Sequence, residues 1–174
     1  MKKIIAGIGS RETPQHILEL FVKCGEYLAK NDWFLRSGGA NGADSAWEEG
    51  FKEGKGHIFL PSSNFNNRNV GKIHNLEYIV PNFSKESEIL AFFHHPAYEK
   101  LSQFAKKLMM RNGNQVLGEN LCEPATCVVC WTKNGAGGTR QAISIAKAYD
   151  IPVLDLGAYN ANHKQVLWDF IKQF

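Results

Sequence analysis

Short apolar runs and apolar stripes of helical period alternate along the chain. Residues 3–9 open with the run Ile4-Ile5-Ala6 between Lys3 and Gly7-Ile8-Gly9, which reads as a strand. Thr13 followed by Pro14 supplies an N-cap and a proline at the first helical position. Beyond it Ile17, Phe21, Cys24 and Leu28, with Leu18, Val22 and Ala29 beside them, fall on one helical face. Residues 33–36 predict a second strand. Residues 43–52 predict a helix buried through Ala43, Ala46, Trp47, Gly50 and Phe51, and residues 57–60 a third strand stopped by Pro61. Further on, residues 125–131 are apolar without alternation, as in a central strand covered on both faces. A helix over 138–149 turns Ala142, Ile143, Ala146 and Tyr149 inward, and a strand follows over 151–156. The last helix starts near Asn162, whose side chain can cap it, and buries Val166, Leu167, Phe170, Ile171 and Phe174.

Strands alternating with helices of this length predict an α/β fold: a single Rossmann-like domain over residues 1–174, its open, mainly parallel sheet covered by helices on both faces. Residues 62–121 form a polar loop and helical insertion within it. The stretch Asn64-Phe65-Asn66-Asn67-Arg68-Asn69 suits either a lid that stacks a base on Phe65 or a solvated connection anchored by that ring. Residues 76–80 read as a short strand, and 84–93 and 97–110 as helices divided by His94-His95-Pro96. Adjacent histidines on a helix do not face one partner and no Asp or Cys stands at a useful spacing, so they read as packing or capping groups and no metal site is assigned. Arg111-Asn112-Gly113-Asn114-Gln115 admits two readings. One is a helix C-terminus with Gly113 as a left-handed cap; the other is an arginine and side-chain amides that reach a ligand just ahead of the central strand.

Composition narrows this little. The chain has 174 residues, 44% hydrophobic and 21% charged, which is ordinary for a globular domain with a substantial core. A formal net charge of +3 permits a nucleic-acid partner without requiring one. The apolar run after Lys2 and Lys3 is too short for a signal core, and nothing approaches the roughly 20 apolar residues of a membrane span, so a cytoplasmic protein with no membrane partner is expected. Cys127 and Cys130 resemble a redox or zinc pair, but on a strand residues three apart face opposite ways; with Cys24 and Cys122 they read as small buried core residues.

The chemistry lies in three glycine-rich junctions at strand ends: Gly9-Ser10-Arg11, Ser37-Gly38-Gly39-Ala40-Asn41-Gly42-Ala43-Asp44, and Thr132 followed by Gly135-Ala136-Gly137-Gly138-Thr139. Glycines let backbone amides approach an anion, a helix N-terminus favours negative charge, and a guanidinium grips phosphate with two parallel bonds. In a parallel sheet all three fall outside the carboxyl ends of the strands, where ligands bind. A nucleotide-like ligand is therefore expected, held by Gly9, Ser10, Arg11, Ser37, Gly38, Gly39, Asp44, Arg111, Asn112, Thr132, Gly137, Gly138 and Thr139. Neither glycine loop matches the dinucleotide or P-loop fingerprint, and no cofactor is assigned.

The motifs GSR, SGGANGAD, RNGNQVLG and CWT-x-x-G-x-GGT-x-x-A, with His95-Pro96, resemble the SLOG superfamily of Rossmann-like proteins, which includes DprA/Smf and the LOG phosphoribohydrolases. The likeness is greatest to small DprA-like proteins often encoded by phages and mobile elements. It implies a phosphate or nucleotide pocket lined by Ser10, Arg11, Gly38, Gly39, Asp44, Arg111, Gly137, Gly138 and Thr139, and a homo-oligomer formed through the last or the middle helices. Two departures bear on activity. LOG enzymes resemble PGGxGTxxE at the last loop, where this chain has Ala142 in place of the glutamate, and DprA carries further domains and a stronger basic groove. Three readings follow: a nucleotide-binding module with Phe65 or Trp131 against a base; an N-glycoside hydrolase of nucleoside monophosphates with Asp44 or Glu48 as the carboxylate, unless Asp44 caps its helix and Glu48 is solvated; and a single-strand DNA binder.

Overall fold

The computed structural model describes residues 2–174. β1 (Ile4–Gly7) is the strand around which the rest is ordered. It pairs in parallel with β2 (Phe34–Ser37) on one side and with β8 (Cys127–Cys130) on the other, so that Ile5 lies opposite both Leu35 and Cys127. Outward from β2 come β3 (Lys55–Phe59), β7 (Leu76–Ile79) and β6 (Gly71–Ile73); outward from β8 comes β9 (Val153–Asp155). Among the described residues, only the β6–β7 pair of this seven-stranded sheet is antiparallel. The chain builds one half of the sheet, then crosses back to build the other, so the strand order reverses between β1 and β8, where a crevice opens in such sheets.

Alternate residues of the central strands serve two cores. Ile5, Leu35, Cys127 and Val129 pack under α1 (Gln15–Lys30), α2 (Ala43–Gly50) and α6 (His163–Ile171), where Phe21 stacks on Trp47 with ring centres 4.7 Å apart. Ile4, Ala6, Ile8, Val128 and Cys130 pack under α4 (Gln103–Leu117) and α5 (Gly138–Ala148). Both faces are covered, as the unbroken apolar run of β8 requires. Cys127 and Cys130 indeed face opposite cores, and burial pushes the Cys127 thiol up to about 12. All four cysteines are free; Cys122, expected in the core, is exposed.

Several local expectations are corrected. α1 begins after Pro14, and Thr13 donates its hydroxyl to the Ser10 carbonyl at 2.7 Å instead of capping. Asn162 precedes α6 in the left-handed region (φ 60°) with no side-chain cap bond. Tyr149 is exposed rather than inward. The second middle helix is preceded by a 3-10 turn at Tyr98–Lys100 and starts after Ser102, which caps Ala105; it then runs on through Arg111 to Leu117 and ends at Gly118 (φ 83°), with Gly113 inside it. The polar loop holds a small hairpin of β4 (Asn64–Phe65) and β5 (Arg68–Asn69). α3 (Lys85–His94) is capped by Ser84 and pinned to α5 by His94, whose Nδ1 lies 2.9 Å from Ser144 Oγ, while His95 Nδ1 accepts from the Ala97 amide at 3.3 Å. Among the described residues no helix is long and apolar enough to cross a membrane, and no three His, Cys, Asp or Glu side chains group to hold a metal ion.

Candidate functional site

A cleft of about 360 Å³ lies where the strand order reverses. Gly9, Ser10 and Arg11 reach it from the end of β1, Ala40 and Asp44 from the β2–α2 junction, and Gly137, Gly138 and Thr139 from the start of α5. Its remaining wall is α4, which presents Leu108, Met109, Arg111, Asn112 and Gln115 on one face at spacings of three and four.

Arg111 is 6% exposed, and its Nη1 donates to Asn112 Oδ1 and Gln115 Oε1, each at 3.0 Å. Its Nε has no partner, and among the described residues no carboxylate lies within ion-pair distance of it. Burial lowers its pKa, the charge of Asp44 opposes that shift, and the neighbouring charge of Arg11 adds to it. Two guanidiniums thus feel one another across the cleft. Asp44 is buried and accepts from the amides of Ala40, at 3.2 Å, and Gly9. Burial raises its pKa against the opposing charges of Arg111 and Arg68. It holds the loops rather than capping α2, whose N-cap residue is Gly42.

Gly137 (φ 82°) is the N-cap residue of α5, no side chain is bonded to the helix's first amides, and its positive end opens toward the cleft. Asn112 fastens α4 to this end by donating to the Gly138 carbonyl at 3.2 Å and to Gln141 Oε1 at 2.9 Å. Ile8, Leu108, Met109 and Ala142 give the cleft an apolar side. The arrangement can hold an anion at one end and a flat apolar body against the other.

Other expected site residues lie elsewhere. Ser37 is buried and donates its hydroxyl to the Gly7 carbonyl at 2.7 Å. Gly38 sits against Arg111: a Cβ there would come within 2.2 Å of Nη1. Gly39 (φ 68°) packs on Leu60 and Arg68. Neither glycine lines the cleft, and that turn contributes Ala40 and Asp44 instead. Thr132 is buried with its amide donating to Asp155 at 2.8 Å and its hydroxyl to the same carboxylate.

Glu48 also stands away from the cleft and is not solvated. One carboxylate oxygen accepts from Arg68 Nε at 2.9 Å and from the Tyr78 hydroxyl at 3.1 Å, the other has no partner, and burial raises its pKa against the pull of Arg68. Phe65 is buried, its ring 6.2 Å from that of Phe104 and 5.9 Å from the Arg111 guanidinium, so no open face remains for a base. Trp131 packs on the core beside β8. Sequence reasoning missed Leu108, Met109 and Gln115; continuing the helical period of 97–110 through 115 puts them on the face of Arg111.

No family model and no curated protein matches the chain. Solved structures do. The Moco carrier protein of Chlamydomonas reinhardtii superposes with a TM-score of 0.51 at 21% identity, over 90% of this chain and 77% of that one. A second structure of that molybdenum cofactor carrier gives 0.53 at 17% identity, over 99% and 86%. DNA processing protein A from Helicobacter pylori, whose single-stranded DNA binding mode was described, gives 0.56 at 17% identity over 87% of this chain; the chain spans 63% of that protein. The chain thus shares its Rossmann-like fold with the molybdenum cofactor carrier and with DNA processing protein A.

Proposed function

We propose that the chain binds a small phosphorylated ligand of nucleotide type in the cleft between β1 and β8. One observation carries this reading: Arg111 is buried at the cleft without an ion-pair partner, within the field of a second guanidinium. A buried unpaired charge is costly, and an anion resting between Arg111, Arg11 and the first amides of α5 supplies what is missing. The apolar wall of Ile8, Leu108 and Met109 then takes the base, a role the buried Phe65 cannot fill. The neighbours of this fold include a carrier of molybdenum cofactor and a binder of single-stranded DNA, so a small ligand and a nucleic acid both have a precedent on it. A volume of about 360 Å³ favours the small ligand.

Thermal unfolding with inorganic phosphate, nucleoside mono- and diphosphates, cyclic dinucleotides and short oligonucleotides tests the reading. A ligand at 100 times its dissociation constant is expected to stabilise the fold by about 2.7 kcal/mol. No stabilisation by any phosphate compound would falsify the proposal. An oligonucleotide that binds with a log–log salt slope of several units transfers the site to single-stranded DNA. Chromatography of the same mixtures is expected to show no free base, because Glu48 is turned to Arg68 and Asp44 is held by backbone amides.

Asp44 sets the pH dependence. The charges around it are Arg111, Arg68 and Arg11, with Glu48 one turn along α2. A bound anion raises its already raised pKa further, so binding takes up protons and tightens as pH falls through that folded pKa. Asp44→Asn is expected to bind the anion roughly tenfold more tightly at neutral pH, the equivalent of about one pKa unit, and to flatten the pH profile. Titration calorimetry across pH checks both; an unchanged profile places the anion away from Asp44.

A further inference from the structure

The end of the sheet away from the nucleotide cleft carries a second depression. At the amino ends of β1 and β2 lies a groove of about 600 Å³ walled by four aromatic rings: Tyr27 on α1, Trp33 just ahead of β2, Trp168 on α6 and Phe174 beyond it. The rings stand as two nearly perpendicular pairs, Tyr27 with Trp168 at 5.0 Å and Trp33 with Phe174 at 6.4 Å between centres. Trp33 is buried and Tyr27 is 49% exposed, which makes the indole the floor of the groove and the phenol its rim. Among the described residues, Lys3 and Lys172 are the only charged side chains that line it. Lys3 Nζ lies 5.7 Å from the centre of the Trp33 ring, and neither lysine is paired with a carboxylate. The groove shares no residue with the nucleotide cleft.

We propose that this groove is a second binding site, which takes a small planar aromatic anion, a free aromatic carboxylate. Shape and charge select that ligand together. Four rings offer a flat apolar body stacking and edge contacts that an aliphatic chain cannot use, and two lysines without carboxylate partners favour one negative group at its margin. A volume of about 600 Å³ is that of a small-molecule site. Aromatic walls alone would also draw an organic cation, but here two lysines repel it and no Asp or Glu among the lining residues offsets them. A second copy of the chain placed by a two-fold axis would set this patch against itself, lysines toward lysines. A nucleic-acid strand running on past Trp33 enters a neighbouring depression where Asp32 and Glu53 offset Lys2 and Lys55, so the basic track that it needs stops at the edge of the groove. A small acid with a single charge requires no such track.

Titration of the full chain with 2-naphthoate, followed through the indole N–H signals in proton–nitrogen correlation NMR spectra, tests this. The chain has four tryptophans. The signals of Trp33 and Trp168 are expected to shift together with one dissociation constant, while those of Trp47 and Trp131, which do not line the groove, stay in place. Uncharged 2-naphthamide is expected to bind roughly fivefold more weakly, and phenyltrimethylammonium to leave all four signals unmoved. Lys172→Glu, at an exposed position, is expected to weaken naphthoate binding about fivefold, and Trp168→Ala about tenfold. Lys164→Glu, on α6 but outside the groove, and Arg111→Met, in the nucleotide cleft, are expected to bind naphthoate as the wild type does, so the two sites are read separately. Silence of the Trp33 and Trp168 signals up to about 5 mM naphthoate overturns the proposal, as does a Lys172→Glu variant with unchanged affinity or a naphthamide that binds as tightly as the acid. Shifts of the same two signals on dilution of the protein alone overturn it as well and give the groove to a second copy.

Discussion

Replacing Arg111 by methionine is expected to weaken nucleotide binding roughly a thousandfold, because a buried charge-assisted contact is worth about 2–5 kcal/mol when only one partner is removed. Methionine keeps most of the stem and removes the charge. In the free protein the consequences partly cancel: Asn112 and Gln115 lose a donor, while the burial penalty on the guanidinium and its repulsion with Arg11 disappear. The unliganded fold should therefore move by only about 1–2 kcal/mol, and the lost affinity is not a symptom of unfolding. Arg111→Lys retains the charge without the planar fork and should fall between the two. Arg11→Ala, at an exposed position, should cost roughly tenfold and leave unliganded stability unchanged. Calorimetric titration with the tightest mononucleotide gives the ranking; a methionine variant that binds as the wild type does would show that the anion does not rest on this guanidinium.

The frame was legible in the sequence because it is written in apolar period. The runs at β1 and β8 and the stripes of α1 and α2 lie where the pattern puts them. The insertion was not. Strands of two residues, as in the β4–β5 hairpin, are too short to leave a period, and α4 was stopped seven residues early because Arg111-Asn112-Gly113-Asn114-Gln115 reads as a polar helix end. Those side chains are buried through bonds to one another and to α5, a form of burial that hydrophobicity does not record. The site divides in the same way. Arg11, Asp44, Arg111, Asn112 and the Gly137–Thr139 turn line the cleft. Gly38 stands outside the cleft lining: a glycine that admits an anion and one that admits an arginine side chain look alike in sequence, and here the close neighbour is Arg111 itself.

Arg68→Met is expected to destabilise the fold by about 3–5 kcal/mol at neutral pH, the cost of leaving a buried carboxylate without its cation. Arg68 crosses from the hairpin to α2: Nε donates to Glu48 at 2.9 Å, Nη2 to Ser45 at 2.8 Å and Nη1 to the Asn66 carbonyl at 3.2 Å. Without it Glu48 is left with the Tyr78 hydroxyl, and its pKa, already raised by burial, rises further. A carboxyl whose folded pKa exceeds its unfolded one holds more protons when folded, so stability falls as pH rises from the unfolded value near 4.5 through the folded pKa. Arg68 lowers that folded pKa and narrows the window, so the deficit of Arg68→Met should be smallest at acid pH and grow toward neutrality. Adding Glu48→Gln removes the charge that Arg68 serves and should recover much of the loss with a nearly flat pH dependence. Denaturant unfolding of both single variants and the double variant across pH gives the coupling directly; a deficit independent of pH would assign Arg68 to packing alone. The effect reaches the cleft as well. The hairpin that Arg68 anchors also donates from Asn66 Nδ2 to the Gly39 carbonyl at 3.0 Å and sets Phe65 against Arg111, so loosening it frees the arginine that the anion must find in place.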